Sequence, residues 1–107
     1  MYVIIWEFQS KVGREAEFEA YYGSDGAWAK FFGRGEGYIG TELHRDTEVT
    51  DRYVTMDYWT DKKAYDAFRT RWLTEYQEID RQCEELTQRE VRIGGFQLIG
   101  GTGRKFF

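Results

Sequence analysis

The order in which extended and helical segments follow one another restricts the fold of this chain more than any other feature. β-Branched and aromatic runs predict strands, whereas apolar residues at steps of three and four predict helices. The predicted strands are Tyr2–Gln9, Tyr38–Arg45, Arg52–Trp59 and Gln88–Ile99. The predicted helices are Arg14–Tyr22, a short piece over 26–32 capped by Ser24 or Asp25, and a long helix capped by Thr60 or Asp61.

The long helix carries an apolar stripe from Ala64 to Leu86, with charged residues such as Arg69 on its outer face, and it can break near Thr70. Strand, helix, strand, strand, helix, strand is the βαββαβ order of ferredoxin-like folds, an α+β class whose helices cover one face of an antiparallel sheet. No linker or repeat divides the sequence. Residues 1–107 are therefore predicted to form one domain, with 100–107 as a flexible tail.

The sheet face away from the helices is also predicted to be apolar. Its residues are Val3, Ile5, Val54, Met56, Phe96 and Leu98, or, if the strands have the opposite parity, the neighbours of these residues. A contiguous exposed apolar sheet face is rare in monomers, so we expect a homodimer joined through this face. A bulge predicted at Gly94-Gly95 decides which residues of the last strand lie on it.

Aromatic residues are many for so small a core. The 107 residues include four Trp, eight Tyr and eight Phe, and a domain of this length buries only roughly 60–70% of the surface of its unfolded chain. Three destinations remain open for these side chains. They are an aromatic core, a cavity that stacks a flat aromatic ligand, and an interface with another chain.

Charge and composition argue against several classes of partner. A formal net charge of −4 argues against nucleic acid, because phosphate binding needs a basic surface. No apolar run approaches the roughly 18 residues of a membrane span. No signal peptide is recognisable, and a cytoplasmic location is predicted. One cysteine, Cys83, and one histidine, His44, offer neither an internal disulfide nor a motif for a metal site.

Residues 35–40 match the G-x-G-x-x-G pattern of dinucleotide-binding loops. That motif needs a strand before it and a helix after it, whereas here a helix precedes the glycines and a strand follows them. The glycines are therefore interpreted as turn residues.

Two side chains of the predicted hairpin are candidates for acid–base chemistry. Asp57 lies in an apolar strand, where burial would raise its carboxyl pKa, and pairing with an arginine is the alternative interpretation. His44 is either a general base or an exposed strand histidine.

Three segments resemble the antibiotic biosynthesis monooxygenase family, and the resemblance extends over nearly the whole chain. They are the G-aromatic-x-G strand at Gly37–Leu43, the strand Arg52–Trp59 that ends in Trp, and the helix start Ala64–Phe68. The resemblance implies a dimeric α+β barrel. It also implies a relationship to members that oxidise polycyclic phenols to quinones without a cofactor; the haem-degrading members use a helical His that is missing here.

The resemblance also implies roles for individual residues. Trp59 and Tyr65 match positions that bind and activate substrate, and Thr55 stands where the family uses Asn. Tyr65 is expected to stabilise the developing oxyanion, and Asp57 or His44 to assist removal of the phenol proton.

The remaining substrate contacts are expected from aromatic side chains and Thr55. The predicted substrate-binding residues are Trp6, Phe32, Thr55, Phe68 and Trp72. The predicted function is oxidation of a small aromatic phenol to a quinone, without metal or other cofactor. The alternative is a non-catalytic dimeric domain that binds a small apolar ligand.

Overall fold

The fold is seen in a computed structural model that describes residues 1–103. Its elements are β1 Tyr2–Ser10, α1 Glu15–Tyr22, α2 Ala27–Phe32, β2 Tyr38–Arg45, β3 Arg52–Trp59, α3 Lys62–Arg71, α4 Leu73–Cys83 and β4 Thr87–Gln97, with a 3₁₀ turn at Glu84–Leu86. This order confirms the predicted α+β fold of ferredoxin-like type. Of the predicted tail, residues 104–107 lie outside the described residues.

The four strands form one antiparallel sheet in the order β2-β3-β1-β4. Alternate residues of β1 and β3 point towards the helices and are buried, among them Ile4, Phe8, Tyr53 and Trp59. Because side chains alternate along a strand, the neighbours of these residues face the other way. The predicted division of the two central strands into a helix-facing and an opposite face is confirmed.

The helix ends show one prediction confirmed and one wrong. The Asp61 carboxylate accepts a hydrogen bond from the Ala64 amide at 2.8 Å, as expected of an N-cap. The cap position of the short helix α2 falls on Gly26, and no side chain among residues 1–103 caps it, so neither Ser24 nor Asp25 has the predicted role. A Cβ at position 26 would lie 2.5 Å from the Tyr21 carbonyl oxygen, so the cap position has no room for a side chain.

The predicted long helix is two helices. The break lies at Trp72, whose backbone leaves the helical region with φ −110° and ψ 28°. It falls two residues after Thr70, and Tyr76 and Ile79 of α4 still pack against the core. Phe68 and Cys83, one from each helix, are both buried.

The bulge predicted in β4 is confirmed beside Gly94. Ile5 pairs with Gly94 and Trp6 with Arg92, so the register shifts at Ile93. The extra residue reverses the alternation of the strand. As a result Arg92 shares the helix side with Trp6, whereas Phe96 is placed opposite Val3 on the other face.

The face away from the helices carries a shallow apolar hollow. It is lined by Met1, Val3, Ile5, Met56, Tyr58, Phe96, Gln97, Leu98 and Ile99. Phe96 keeps 45% of its surface exposed. The second apolar face that the sequence predicts is therefore present on this chain.

Gly35 and Gly37 of the G-x-G-x-x-G match belong to a tight turn, as predicted, whereas Gly40 lies in β2 opposite Tyr58, so the turn prediction is wrong for that glycine. Gly37 adopts φ +87°, a conformation that favours glycine. A Cβ at Gly35 would lie 2.6 Å from Cδ1 of Phe68. No helix in the described part of the chain is long and apolar enough to cross a membrane.

Candidate functional site

A cavity of about 270 Å³ lies between the sheet and the helices. This is slightly below the roughly 300–1,000 Å³ typical of ligand pockets. Its aromatic wall is formed by Trp6, Phe8, Tyr22, Trp28, Phe32 and Tyr76, and its polar wall by Thr41, Thr55, Asp57, Arg69, Asp80, Glu90 and Arg92. Trp6 stacks on Phe8 at a ring-centroid distance of 6.0 Å and an angle of 19° between the ring planes, so two nearly parallel rings belong to the aromatic wall.

Asp57 is the buried carboxylate of this cavity. Its Oδ1 accepts a hydrogen bond from the Thr41 hydroxyl at 2.7 Å, and the Thr41 oxygen lies 2.6 Å from the Tyr38 hydroxyl. Burial raises the pKa of Asp57 to about 6, although the bond from Thr41 acts in the opposite direction. Within residues 1–103, Asp57 takes part in none of the ion pairs. A carboxylate with such a pKa can accept a proton near neutral pH.

Arg69 brings a positive charge to the same cavity. Its Nη1 donates to the Tyr65 hydroxyl at 3.1 Å, and its guanidinium lies 4.2 Å from the centre of the Tyr76 ring. The Arg69 Nε is buried and has no hydrogen-bond partner within the described residues. The sequence places Arg69 on the outer face of its helix, which is wrong, because the break at Trp72 turns α4 across it.

Charged groups also line the cavity towards the β4 edge of the sheet. Glu90 and Arg92 are largely exposed, and Asp80 of α4 is half-buried. Partial burial and neighbouring carboxylates raise the pKa of both Asp80 and Glu90. No cluster of three or more His, Cys, Asp or Glu side chains suited to a metal ion occurs between residues 1 and 103.

Four of the predicted site residues meet in this cavity. They are Trp6, Phe32, Thr55 and Asp57. Trp6 and Thr55 are paired across β1 and β3, which places an aromatic ring beside a hydroxyl.

Three other predicted residues lie beside the cavity in a filled core. Trp59 is completely buried, with Tyr65 at a centroid distance of 5.5 Å and Phe68 at 5.3 Å. Tyr65 reaches the cavity only indirectly, through its hydrogen bond from Arg69. Trp72 lies at the helix break, outside the lining of the cavity, with the guanidinium carbons of Arg34 and Arg71 at 5.3 and 5.1 Å from its ring centre.

His44 is separated from the cavity by the sheet itself. It pairs with Val54 in the hairpin and therefore shares the face away from the helices, where its Nε2 lies 3.4 Å from Glu42 Oε1. Of the two candidate bases in the sequence, only Asp57 reaches the cavity.

Sequence reasoning missed several lining residues. Tyr76 lies on the predicted apolar stripe and Thr41 lies opposite Asp57 in the hairpin, so the sequence pattern could have identified both residues. The sequence could not have identified Glu90 and Arg92, because the β4 bulge decides on which face of the sheet they lie.

Comparisons with known proteins agree with this fold. The sequence profile of the family described as antibiotic biosynthesis monooxygenase matches residues 1–79. No curated protein sequence matches the chain significantly. A mutant of SnoaB, a cofactor-independent oxygenase from Streptomyces nogalater, superposes with a TM-score of 0.78 at 21% identity, over 96% of this chain and 97% of that chain.

Two further solved structures have the same fold. A candidate antibiotic biosynthesis monooxygenase from Bordetella bronchiseptica is 25% identical with a TM-score of 0.70, over 92% of this chain and 96% of that chain. Another, from Deinococcus radiodurans, is 8% identical with a TM-score of 0.77, over 98% of this chain and 99% of that chain.

Proposed function

The chain belongs to the antibiotic biosynthesis monooxygenase family, and on that premise we propose that it oxidises a small polycyclic phenol to a quinone with dioxygen and no cofactor. The observation that carries the proposal is the buried carboxylate of Asp57 in the wall of an aromatic cavity. A flat substrate packs against the aromatic wall that includes Trp6 and Phe8. Asp57 then accepts the phenol proton.

Removal of the proton prepares the substrate for oxygen. The phenolate is electron-rich at the ring carbon opposite its oxygen, and this carbon is the one that reacts with dioxygen. One oxygen atom becomes the new quinone carbonyl, and the other leaves as water with the two hydrogens lost from the substrate. The reaction therefore consumes one dioxygen for each quinone and needs no other reductant.

Arg69 and Tyr65 support this chemistry electrostatically. The Arg69 guanidinium lines the cavity, and Tyr65 accepts its Nη1 hydrogen bond at 3.1 Å. A cation in a poorly hydrated site stabilises a developing oxyanion more strongly than it would in water. Tyr65 thus acts by positioning Arg69, and Thr55 offers a hydroxyl in the wall where the family uses Asn.

We propose that the working form is a cytoplasmic homodimer. The hollow around Val3, Ile5 and Phe96 supports assembly through the face away from the helices. Pairing two such faces would remove apolar surface from water.

Oxygen uptake tests the function directly. Purified protein is mixed with an anthrone-type phenol in metal-free buffer, and dioxygen loss and quinone absorbance are followed together. We expect one quinone for each dioxygen and a rate at least 100-fold lower in Asp57→Asn. A wild-type rate equal to that of buffer would overturn the proposal for this substrate class.

A second candidate function is binding without catalysis. It is favoured by the packing of Trp59 against Phe68, which places a predicted substrate-activating residue in a filled core. Quenching of Trp fluorescence by the phenol, with no dioxygen consumed, would support this alternative.

A further inference from the structure

We propose that Thr41 and Tyr38 form a proton path that carries the proton taken up by Asp57 to solvent at the β2 edge of the sheet. The proposal rests on the proposed function, in which Asp57 is the base. It assigns the two hydroxyl groups a role in positioning the carboxylate and in renewing it after each turnover.

The geometry supplies an unbroken chain of hydrogen-bonding groups. Asp57 Oδ1, Thr41 Oγ1 and Tyr38 Oη are joined by contacts of 2.7 and 2.6 Å. Thr41 lines both the aromatic cavity and a separate open groove at the β2 edge. Tyr38 is half-buried and lines the same groove, beside the exposed side chains of Asp25 and Lys30. The path thus begins at the buried carboxylate and ends at a half-buried tyrosine in an open groove.

A route other than the cavity is needed because a bound substrate would fill the cavity. Asp57 is buried, and a stacked ligand would fill the cavity in front of it. A proton taken from that ligand would otherwise have to return past it. The groove lies on the other side of Thr41, so the proton can leave while the cavity stays occupied.

In the part of the chain that the structure describes, the charged and titratable groups of the other elements form no hydrogen bond with Asp57. Those that line its cavity are Tyr22 of α1, Arg69 of α3, Tyr76 and Asp80 of α4, and Glu90 and Arg92 of β4. Thr41 is the one side chain that donates to Asp57 in the described part of the chain. The proton therefore has a single hydrogen-bonded exit among residues 1–103.

For each proton that leaves Asp57, one proton is released to water. With Asp57 protonated, its hydroxyl donates to Thr41, Thr41 to Tyr38, and Tyr38 to water. Each group passes on its own proton and receives one from its neighbour. The chain then returns to the arrangement seen here, in which the Thr41 hydroxyl donates to the Asp57 carboxylate.

The test uses 4-nitrophenol, which stacks like a phenolic substrate and absorbs visible light when ionised. Stopped-flow mixing under argon follows nitrophenolate formation and, with a pH indicator, the arrival of the proton in solution. In the wild type we expect the two signals to rise together. In Tyr38→Phe and in Thr41→Val, nitrophenolate should still form, and the proton should reach solution at least tenfold later.

The controls separate this proposal from the oxygenase reaction. Tyr21→Phe and Thr74→Val remove the same groups elsewhere and should leave the two signals together. Asp57→Asn should abolish nitrophenolate formation. Because no dioxygen is consumed, the path can be demonstrated even if quinone formation fails.

Two results would overturn the path. One is proton release in Tyr38→Phe and Thr41→Val at the wild-type rate; the other is nitrophenol that stays neutral in the wild type at saturation. The infrared carboxyl band of Asp57 gives an independent measure. Thr41→Val should raise the Asp57 pKa, because a bond that favours the carboxylate is lost, and an unchanged pKa would also count against the proposal.

Discussion

Thr41 and Asp57 face each other across the β2–β3 hairpin, and the Thr41 hydroxyl donates to Asp57 Oδ1 at 2.7 Å. A neutral hydroxyl stabilises a buried carboxylate less than a cation would. Burial therefore dominates, and the pKa of Asp57 rises to about 6. Among residues 1–103 the carboxylate is held in place by this hydrogen bond and takes part in no ion pair, and such a group is suited to the proposed role of proton acceptor.

Replacing Asp57 with Asn should stabilise the protein above pH 6. The folded-state pKa of about 6 lies above the ordinary value of 3.8, so the folded chain binds the proton more tightly than the unfolded chain. The stabilisation from protonated Asp57 is complete below pH 3.8 and is lost as the pH rises through about 6. Asp57→Asn should raise the free energy of unfolding by up to about 3 kcal/mol at pH 8 and by little at pH 4, as measured by urea unfolding.

The matched control for this stability measurement is Asp66→Asn. Asp66 is exposed on α3 and pairs with Lys62 at 2.6 Å. Exposed pairs of this kind contribute roughly 0–1 kcal/mol. An Asp57→Asn gain that is the same at both pH values would mean that the carboxylate is not titrating as described.

The pH dependence of catalysis should identify the base. We expect kcat/KM to rise with pH through about 6, as Asp57 loses its proton. Asp57→Asn should lower kcat/KM about 10²–10⁴-fold, a typical loss for a general base. His44→Gln should keep the wild-type profile, because the sheet separates His44 from the cavity. A profile altered by His44→Gln alone would reverse this assignment.

Arg69→Gln should weaken the reaction through loss of the cavity cation. An electrostatic donor to an oxyanion is worth about 10²–10³-fold in rate, and we expect a decrease in that range at saturating phenol. Arg81→Gln is the comparison, since Arg81 is exposed and pairs only with Glu78 on its own helix among the described residues. Equal rates for the two variants would remove Arg69 from the mechanism.

Assembly should depend on the apolar face of the sheet. Phe96→Asp places a charge in the hollow and should convert a dimer to a monomer in sedimentation velocity at micromolar concentration. Val12→Asp, at a loop residue that is 84% exposed, should leave the dimer intact. A wild-type chain that sediments as a monomer would contradict the proposed homodimer.

The turn before β2 should tolerate no side chain at Gly35. A Cβ there would lie 2.6 Å from Phe68 and 3.0 Å from Trp59, so Gly35→Ala should cost about 1–3 kcal/mol of unfolding free energy through overpacking. A Cβ at Gly40 would have no heavy atom of residues 1–103 within 4 Å, beyond its chain neighbours, so Gly40→Ala should change the unfolding free energy by less. Similar losses in the two variants would show that steric crowding is not the cause.

Much of the fold could be predicted from periodicity because the signal is local. Alternation along β3 predicted that Tyr53, Asp57 and Trp59 share a face, and the structure buries all three. The Asp61 cap and the bulge near Gly94 also follow from residue type. Asp61 accepts a hydrogen bond from a free amide at the start of its helix, and glycine permits the backbone conformation of a bulge.

The site depended on tertiary structure because it is formed by elements distant in sequence. Trp6 and Trp59 both face the helices, yet Trp6 lines the cavity while Trp59 is enclosed by Phe68 and Tyr65. The residue types by themselves predicted that these aromatic side chains are buried. The break at Trp72 and the packing of the helices decided where these side chains leave a cavity, and Asp57 lies in the wall of that cavity.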